Sequence, residues 1–301
     1  SDDGLRWREN PTPVLAAGDR TNLMATRPGG HYRAYTRHRD MWRTLGSRAI
    51  YLTESSDFHQ WSDPELVLRP DLADPPDVEF YGMAVFERHG WQMGLLEYWY
   101  SATDRIEIHL VLSRDGRHWM RPCRTPFIAN THDWNRAWLS PASNGPVQIG
   151  DQLVFYINGR LTSHSYDSAQ QDSSIGLASL GVDRFCAFVG TTGGDWLSRP
   201  LVWPGGDLQV NADTRQSFVS HPTMVNGQLG VEVLAADGTP LCDWSGERQA
   251  RFHGNTVART QLDPGVVKWP GNRSLGDLTG QEIRLRWHLQ HARLYTFGAS
   301  V

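Results

Sequence analysis

One seven-residue pattern occurs three times and limits what this chain can fold into. The pattern is a Ser, an Asp two positions later and a Trp four positions after the Asp, in Ser1–Trp7, Ser55–Trp61 and Ser113–Trp119. Such an Asp can accept backbone N–H bonds inside a turn, and the Trp can pack between neighbouring sheets. Alternating apolar residues precede the two internal copies, so each is predicted to join one strand to the next.

The spacing of the copies predicts a particular kind of sheet protein. They begin 54 and 58 residues apart, and a recurrence of about 40–60 residues with several short strands per unit is typical of a β-propeller. We expect the copies to occupy equivalent positions in successive blades. Because the chain opens inside a copy, we expect upstream sequence to be missing and the ring to be open, with apolar residues exposed at the gap.

Composition supports an all-β chain of two parts. The 29 Gly, 17 Pro and 13 Trp residues separate short apolar runs, and no window keeps a helical period. Beyond about residue 200 the alternating strands continue without the repeated turn. We therefore predict an N-terminally incomplete β-propeller over residues 1–200 and a C-terminal β-sandwich over residues 201–301.

Charge and cysteine content argue against several functions. The net charge is −4, and the sequence contains no run of basic residues. Both observations argue against nucleic-acid and anionic-membrane partners. No apolar run reaches 18 residues, so we expect no membrane span. The three cysteines, Cys123, Cys186 and Cys242, are far apart and are expected to be buried thiols. No loop has regular Ca²⁺-ligand spacing, so we predict no metal and no cofactor.

The turns and their spacing resemble the five-bladed propeller glycosidases of the clan of invertase-like fructosidases and arabinanases. Four segments are similar to bacterial proteins described as invertase-family-like, and the similarity extends over nearly the whole chain: Asp19–Asn22, Asp74–Met83, Ser113–Trp119 and Gln281–Phe297. This resemblance implies a carbohydrate substrate or ligand bound in the propeller cup. The residues leave the cellular location open, with secretion and the periplasm as the alternatives in a bacterium.

The candidate catalytic residues are carboxylates in two segments. Asp77 and Glu79 share one face if their segment is extended, and Tyr81 continues that face. Two carboxylates buried together shift each other's pKa values apart, so that one can serve as acid and the other as base. Asp19 is the third candidate. Capping of a turn is the alternative role for Asp19, and one of the carboxylates in Asp74–Met83 is also expected to cap a turn.

Two departures from the resembled pattern bear on activity. The group usually carries Asn-x-Phe-Tyr-Asp-Pro where this chain reads Asn22–Arg27, so Thr26 stands at the place of a carboxylate. Asn135 replaces a second Asp. These replacements keep two functions open, a glycoside hydrolase acting on furanosides or small oligosaccharides and a carbohydrate-binding protein that has lost the chemistry. A protein-interaction platform is a third reading.

The candidate substrate-binding residues are polar and aromatic, and they are Asn22, Tyr81, Trp138 and His164. The arrangement of the carboxylates Asp19, Asp77, Glu79 and Asp133 should separate the functions. Two or more of them in one cup would favour hydrolysis. A single carboxylate among aromatic rings would favour binding.

Overall fold

The computed structural model describes residues 1, 3–15, 17–24, 31–40, 46–165, 172–218, 221–256 and 265–300. Thr26 therefore lies outside the described residues. Contacts divide the chain into two units. Unit 1 is Ser1–Val147 with Val154–Ala178, and unit 2 is Gln148–Leu153 with Ser179–Val301.

Three four-stranded sheets are formed by the first twelve strands. The first sheet has the order β1 (Asn22–Met24), β2 (Tyr32–Asp40), β3 (Ser47–Ser55) and β4 (Glu65–Leu68). The second has the order β5 (Val78–Arg88), β6 (Trp91–Tyr100), β7 (Arg105–Ser113) and β8 (Trp119–Met120). The third contains β9 (Trp138–Pro141), β10 (Val147–Ile149), β11 (Gln152–Arg160) and β12 (Ser173–Gly181), and a 3-10 helix, Asp133–Asn135, precedes it.

The repeated turn has the predicted internal hydrogen bonds. Its two internal copies follow β3 and β7 directly. Asp57 Oδ1 accepts the backbone N–H groups of the residues two and three positions later, both at 2.8 Å, and Asp115 Oδ1 accepts the equivalent pair at 2.9 and 2.8 Å. Asp3 forms the same two bonds in the first copy. These N–H donors hold the pKa of Asp57 below its usual value.

One Trp of the pattern packs between sheets as predicted. The ring of Trp119, in the second sheet, meets the edge of Tyr35, in the first sheet, with centroids 5.7 Å apart. The Tyr35 hydroxyl donates to the carbonyl of Gly116 inside the turn. Trp7 is instead 77% exposed. The equivalence of all three copies stays a prediction.

A β-bulge in β5 shifts the alternation of the strand by one residue. In the pairing of β5 with β6, Phe80 lies opposite Tyr98 and Gly82 lies opposite Glu97, so Tyr81 is the extra residue. Phe80 and Met83 are both buried in the core shared by the first two sheets, although an uninterrupted strand would turn residues three positions apart to opposite faces. Tyr81 belongs to a separate cluster.

Unit 2 contains two five-stranded sheets and a two-stranded one. Its strands are β13 (Phe188–Gly190), β14 (Gly194–Leu197), β15 (Leu201–Val202), β16 (Leu208–Asp213), β17 (Arg215–Phe218), β18 (His221–Asn226), β19 (Gln228–Ala235), β20 (Ala250–Phe252), β21 (Asn255–Thr256), β22 (Val266–Val267), β23 (Glu282–Gln290) and β24 (Ala292–Ala299), with 3-10 helices Gly246–Arg248 and Leu275–Leu278. One sheet has the order β13-β24-β16-β21 with β22 beside β16. The other has the order β14-β23-β19-β20 with β15 beside β23.

One hydrophobic cluster takes side chains from both five-stranded sheets of unit 2. Val210 and Leu294 come from one sheet, and Val231 and Trp287 come from the other. Alternation along β16, β19 and β23 directs these residues to a common interior. Strands β13 and β14 belong to these sheets. Residues 179–200 are thus part of unit 2, whereas the predicted boundary lies near residue 200.

The prediction of three buried cysteines was wrong. Cys123 and Cys242 are exposed and Cys186 is only partly buried, because all three lie in loops outside the strands that supply the cores. Within the described ranges, no cluster of His, Cys, Asp or Glu is suited to holding a metal ion. The same residues include no helix with the length and hydropathy needed to cross a bilayer.

Candidate functional site

A pocket of about 670 Å³ lies in unit 1. Strands β5 and β9 supply its inner end, and β11 and β12 supply its outer rim. Its volume is in the range of sites that bind small molecules. The lining residues used below include Tyr81, Trp138, Ser140, Tyr156, Arg160 and His164.

Three aromatic residues form the inner end of the pocket. The Tyr81 hydroxyl and His164 Nε2 are hydrogen-bonded at 2.8 Å. The His164 ring is parallel to that of Trp138, with centroids 5.1 Å apart, and Tyr81 meets Trp138 edge-on at 5.3 Å. Because these rings cover one another, Trp138 is only 5% exposed. Tyr156, 48% exposed on the rim, presents the more open ring.

The loop that carries His164 is held by a carboxylate from another loop. Asp104 Oδ2 accepts the backbone N–H of Ser165 at 2.7 Å, and its Oδ1 accepts the indole N–H of Trp99 at 2.9 Å. Burial opposes the charge of Asp104, but these donors hold its pKa below the usual value. Asp104 therefore positions His164 without lining the pocket.

A buried ion pair supports the inner end. Glu97 has no exposed side-chain surface and accepts two hydrogen bonds from the guanidinium of Arg20, of which the one from Nε is 2.6 Å long. Ser140 Oγ also donates to Glu97 and accepts from the indole of Trp138. Burial opposes the charge of Arg20, but Glu97 raises its pKa above the usual value. Gly82 lies opposite Glu97 and leaves room for this pair.

Two more arginines are paired with carboxylates predicted to be catalytic. Arg37 donates to Asp19, which lies on the pocket lining, and its guanidinium is 4.2 Å from the centre of the Tyr81 ring. Arg48 donates to Glu79 Oε2 from its backbone N–H at 3.0 Å and from Nη1 at 2.8 Å. The Arg48 guanidinium is also 4.4 Å from the centre of the Trp99 ring. Glu79 is therefore paired with Arg48 and is not one of the residues that line the pocket.

The two remaining carboxylates, Asp77 and Asp133, are not on the pocket lining. Asp77 Oδ2 accepts the N–H of Ala102 at 3.3 Å, and the Asp77 carbonyl accepts from Ser101. These bonds hold the turn between β6 and β7. Asp133 lies in the first turn of its 3-10 helix. Of the four carboxylates compared in the sequence analysis, only Asp19 lines the pocket.

Three of the four predicted substrate-binding residues come together, and they are Tyr81, Trp138 and His164. Asn22 is 2% exposed and accepts a hydrogen bond from Ser143 at 2.7 Å, outside the lining. Asn135, the second departure from the resembled pattern, is buried and accepts the N–H of His132 at 3.0 Å. It therefore stabilises its loop.

Several residues of the site were not predicted from the sequence, namely Arg20, Glu97, Ser140, Tyr156 and Arg160. The contact of Glu97 with Arg20 joins residues 77 positions apart. Such pairs depend on how distant segments of the chain meet in the fold, and no short sequence pattern predicts those contacts.

No described protein family matches the chain, and the search of curated proteins found no match. Among solved structures, the chain is similar to an N-acetylgalactosamine deacetylase from F. plautii, with 13% identity, 57% of this chain and 53% of that chain covered, and a TM-score of 0.43. It is similar to a GH32 beta-fructofuranosidase of Bombyx mori, with 10% identity, 99% and 71% covered, and a TM-score of 0.39. It is also similar to a family 117 glycoside hydrolase of Zobellia galactanivorans, with 12% identity, 93% and 89% covered, and a TM-score of 0.38. The chain thus spans about half the length of the deacetylase it matches.

Proposed function

We propose that unit 1 binds a carbohydrate in this pocket. The observation that carries the proposal is one open pocket of about 670 Å³ in which a half-exposed Tyr156 ring lies among planar polar groups, those of Arg20, Asn158 and His164. Sugars present apolar C–H faces that pack on aromatic rings, and their hydroxyls pair with planar donors and acceptors. A pocket with both features suits a sugar better than it suits a purely apolar ligand.

The architecture we propose is a β-propeller followed by a β-sandwich. The three four-stranded sheets formed by β1 to β12 have the strand number expected of propeller blades. The shared hydrophobic cluster of the two five-stranded sheets suits a sandwich. A five-bladed ring would place the pocket among the sheets of a propeller cup.

The distribution of carboxylates makes binding the first choice over hydrolysis. Hydrolysis by the usual route needs two carboxylates about 5–10 Å apart around the scissile bond. In the described part of the lining, Asp19 is the single carboxylate. Glu79 and Glu97 lie outside the lining, and each is paired with an arginine.

Hydrolysis of a glycosidic bond, on furanosides or small oligosaccharides, is the second candidate. The observation that favours it is the hydrogen bond between the Tyr81 hydroxyl and His164 on the same lining as Asp19. A phenol bonded to an imidazole can pass a proton to a leaving oxygen while a carboxylate acts on the opposite side of the sugar. Asp77 and Glu79 stay predicted catalytic residues in this reading.

A glycan-binding screen on the full chain tests the first candidate. Replacing Tyr156 with Ala should weaken binding about 2–10-fold, since an aromatic contact contributes about 0.5–1.5 kcal/mol beyond its buried area. Phe188→Ala in unit 2 is the matched control, because Phe188 is 49% exposed and outside the pocket. Equal losses in both variants, or no binding to any glycan, would contradict the proposal.

A chromogenic-glycoside screen tests the second candidate on the same protein. Turnover that falls about 10²–10⁴-fold in Asp19→Asn and in Glu79→Gln would establish hydrolysis by these carboxylates. Turnover lost in Tyr81→Phe while sugar affinity persists would assign the proton transfer to the Tyr81–His164 pair. Sugar binding without turnover on every substrate would leave the binding function alone.

A further inference from the structure

We propose that the carbohydrate bound in this pocket carries an acidic group and that Arg160 binds it. This inference rests on the proposed carbohydrate function and specifies the ligand class. The acidic group that fits best is the carboxylate of a uronic acid. A sulfate ester is the other group that would supply a negative charge.

The first argument is the charge balance around the pocket. Three arginines each have a carboxylate partner: Arg20 pairs with Glu97, Arg37 with Asp19 and Arg48 with Glu79. Arg160 is the fourth arginine, and no carboxylate among the described residues pairs with it. A guanidinium is charged at any pH that a protein experiences. The pocket therefore carries one positive charge that the described part of unit 1 does not neutralise.

The second argument is the position of Arg160. It extends from the end of β11, and its guanidinium lies 4.9 Å from the centre of the Trp138 ring, on the pocket lining. Stacking on an indole fixes the plane of the guanidinium and costs little of its hydrogen-bonding capacity. Arg160 Nε itself is buried, so a ligand in the pocket would be met by the two terminal Nη groups of the guanidinium.

The third argument is the match between donor and ligand. The guanidinium fork presents two parallel N–H donors that fit both oxygens of a carboxylate. Asn158 and His164 lie on the same lining and can pair with hydroxyls of the sugar ring. A neutral sugar would leave the charge of Arg160 uncompensated. An acidic sugar would neutralise that charge while its ring packs near Tyr156.

The test compares three probes on the full chain: a uronic-acid oligosaccharide, the same oligosaccharide with its carboxyl groups reduced to alcohols, and a sulfated neutral oligosaccharide of equal length. We expect the acidic probe to bind about 10–100-fold more tightly than its reduced counterpart, as hydrogen bonds to a charged group suggest. Rising ionic strength should weaken the acidic probe more than the reduced one.

Two variants and one control connect this selectivity to Arg160. Arg160→Met should bring the ratio of the two affinities close to one. Arg160→Lys keeps the charge but loses the fork, so it should retain only part of the ratio. Arg114→Met is the matched control, since Arg114 also lies over an indole, that of Trp91 at 3.5 Å, but outside the pocket. It should leave the ratio unchanged.

Each outcome decides the inference. Selectivity for the carboxylated or the sulfated probe that depends on Arg160 supports it and identifies the source of the charge. Equal binding of the acidic and reduced probes, unaffected by Arg160→Met, overturns the acidic-ligand inference and leaves carbohydrate binding intact. Failure of all three probes and of a wider neutral-glycan panel overturns both.

Discussion

The ion pair of Arg20 and Glu97 gives the sharpest stability prediction. Glu97→Gln keeps the size of the side chain but places an amide where two guanidinium hydrogen bonds now end. Breaking a buried pair by removing one partner costs about 3–5 kcal/mol. Glu97 is fully buried, whereas the Arg20 side chain is 26% exposed, so water screens part of the remaining charge. We therefore expect the lower end, about 3 kcal/mol.

Calorimetry of the full chain measures this loss. For a unit of this size, about 3 kcal/mol corresponds to a fall in Tm of about 6–12 °C. Glu65→Gln is the control, because Glu65 also pairs with an arginine, Arg117, but the two side chains are 53% and 36% exposed. An exposed pair should contribute at most about 1 kcal/mol.

A double variant separates charge burial from loss of packing. Arg20→Met combined with Glu97→Leu removes both charges together, so most of the lost stability should return. The reasoning would be refuted if Glu97→Gln cost no more than Glu65→Gln. It would also be refuted if the double variant were as unstable as Glu97→Gln.

Two further predictions concern unit 1. Gly82→Ala should lower the free energy of unfolding by about 1–3 kcal/mol and weaken ligand binding, because a Cβ there would meet Glu97 Oε2. Gly298→Ala is the control. A Cβ at Gly298 has nothing within 4 Å, so this variant should be nearly neutral in the same melting experiment. Burial opposes the charge of Asp74, but hydrogen bonds from Arg121 hold its pKa below the usual value. The charged carboxylate therefore stabilises the folded state above about pH 4, and this stabilisation is lost as pH falls through the folded-state pKa. Asp74→Asn should therefore flatten the fall of the unfolding free energy below about pH 4, and an unchanged acid slope in urea titrations would contradict the assignment.

Much of the secondary structure was predictable because it is encoded locally. The alternating apolar residues before the two internal turns predicted a strand at each place, and β3 and β7 end at Ser55 and Ser113. The Ser-Asp-Trp turns were predictable for the same reason, since their hydrogen bonds stay within one short segment. These features need no knowledge of distant contacts.

The site was less predictable because it depends on a bulge and on distant pairs. The extended-strand argument placed Glu79 and Tyr81 on one face, and Arg48 does contact both of them. The register shift at Tyr81 then brings Gly82, rather than a side chain, opposite Glu97. Neither the register shift nor the arginine partners can be predicted from the residues next to them in the sequence. The candidate acids were therefore chosen without the residues that engage them.

The repeated turn also bears on how the chain reaches this structure. Asp115 closes its backbone bonds within three residues, so the turn has very low contact order and can form before β7 and β8 pair with anything distant. Such a segment can belong to the folding nucleus, with its contacts already made in the transition state. Asp115→Ala should then slow refolding and leave the unfolding rate nearly unchanged, giving a φ-value near 1. A φ-value near 0 would mean that the turn closes only after the sheets have assembled around it.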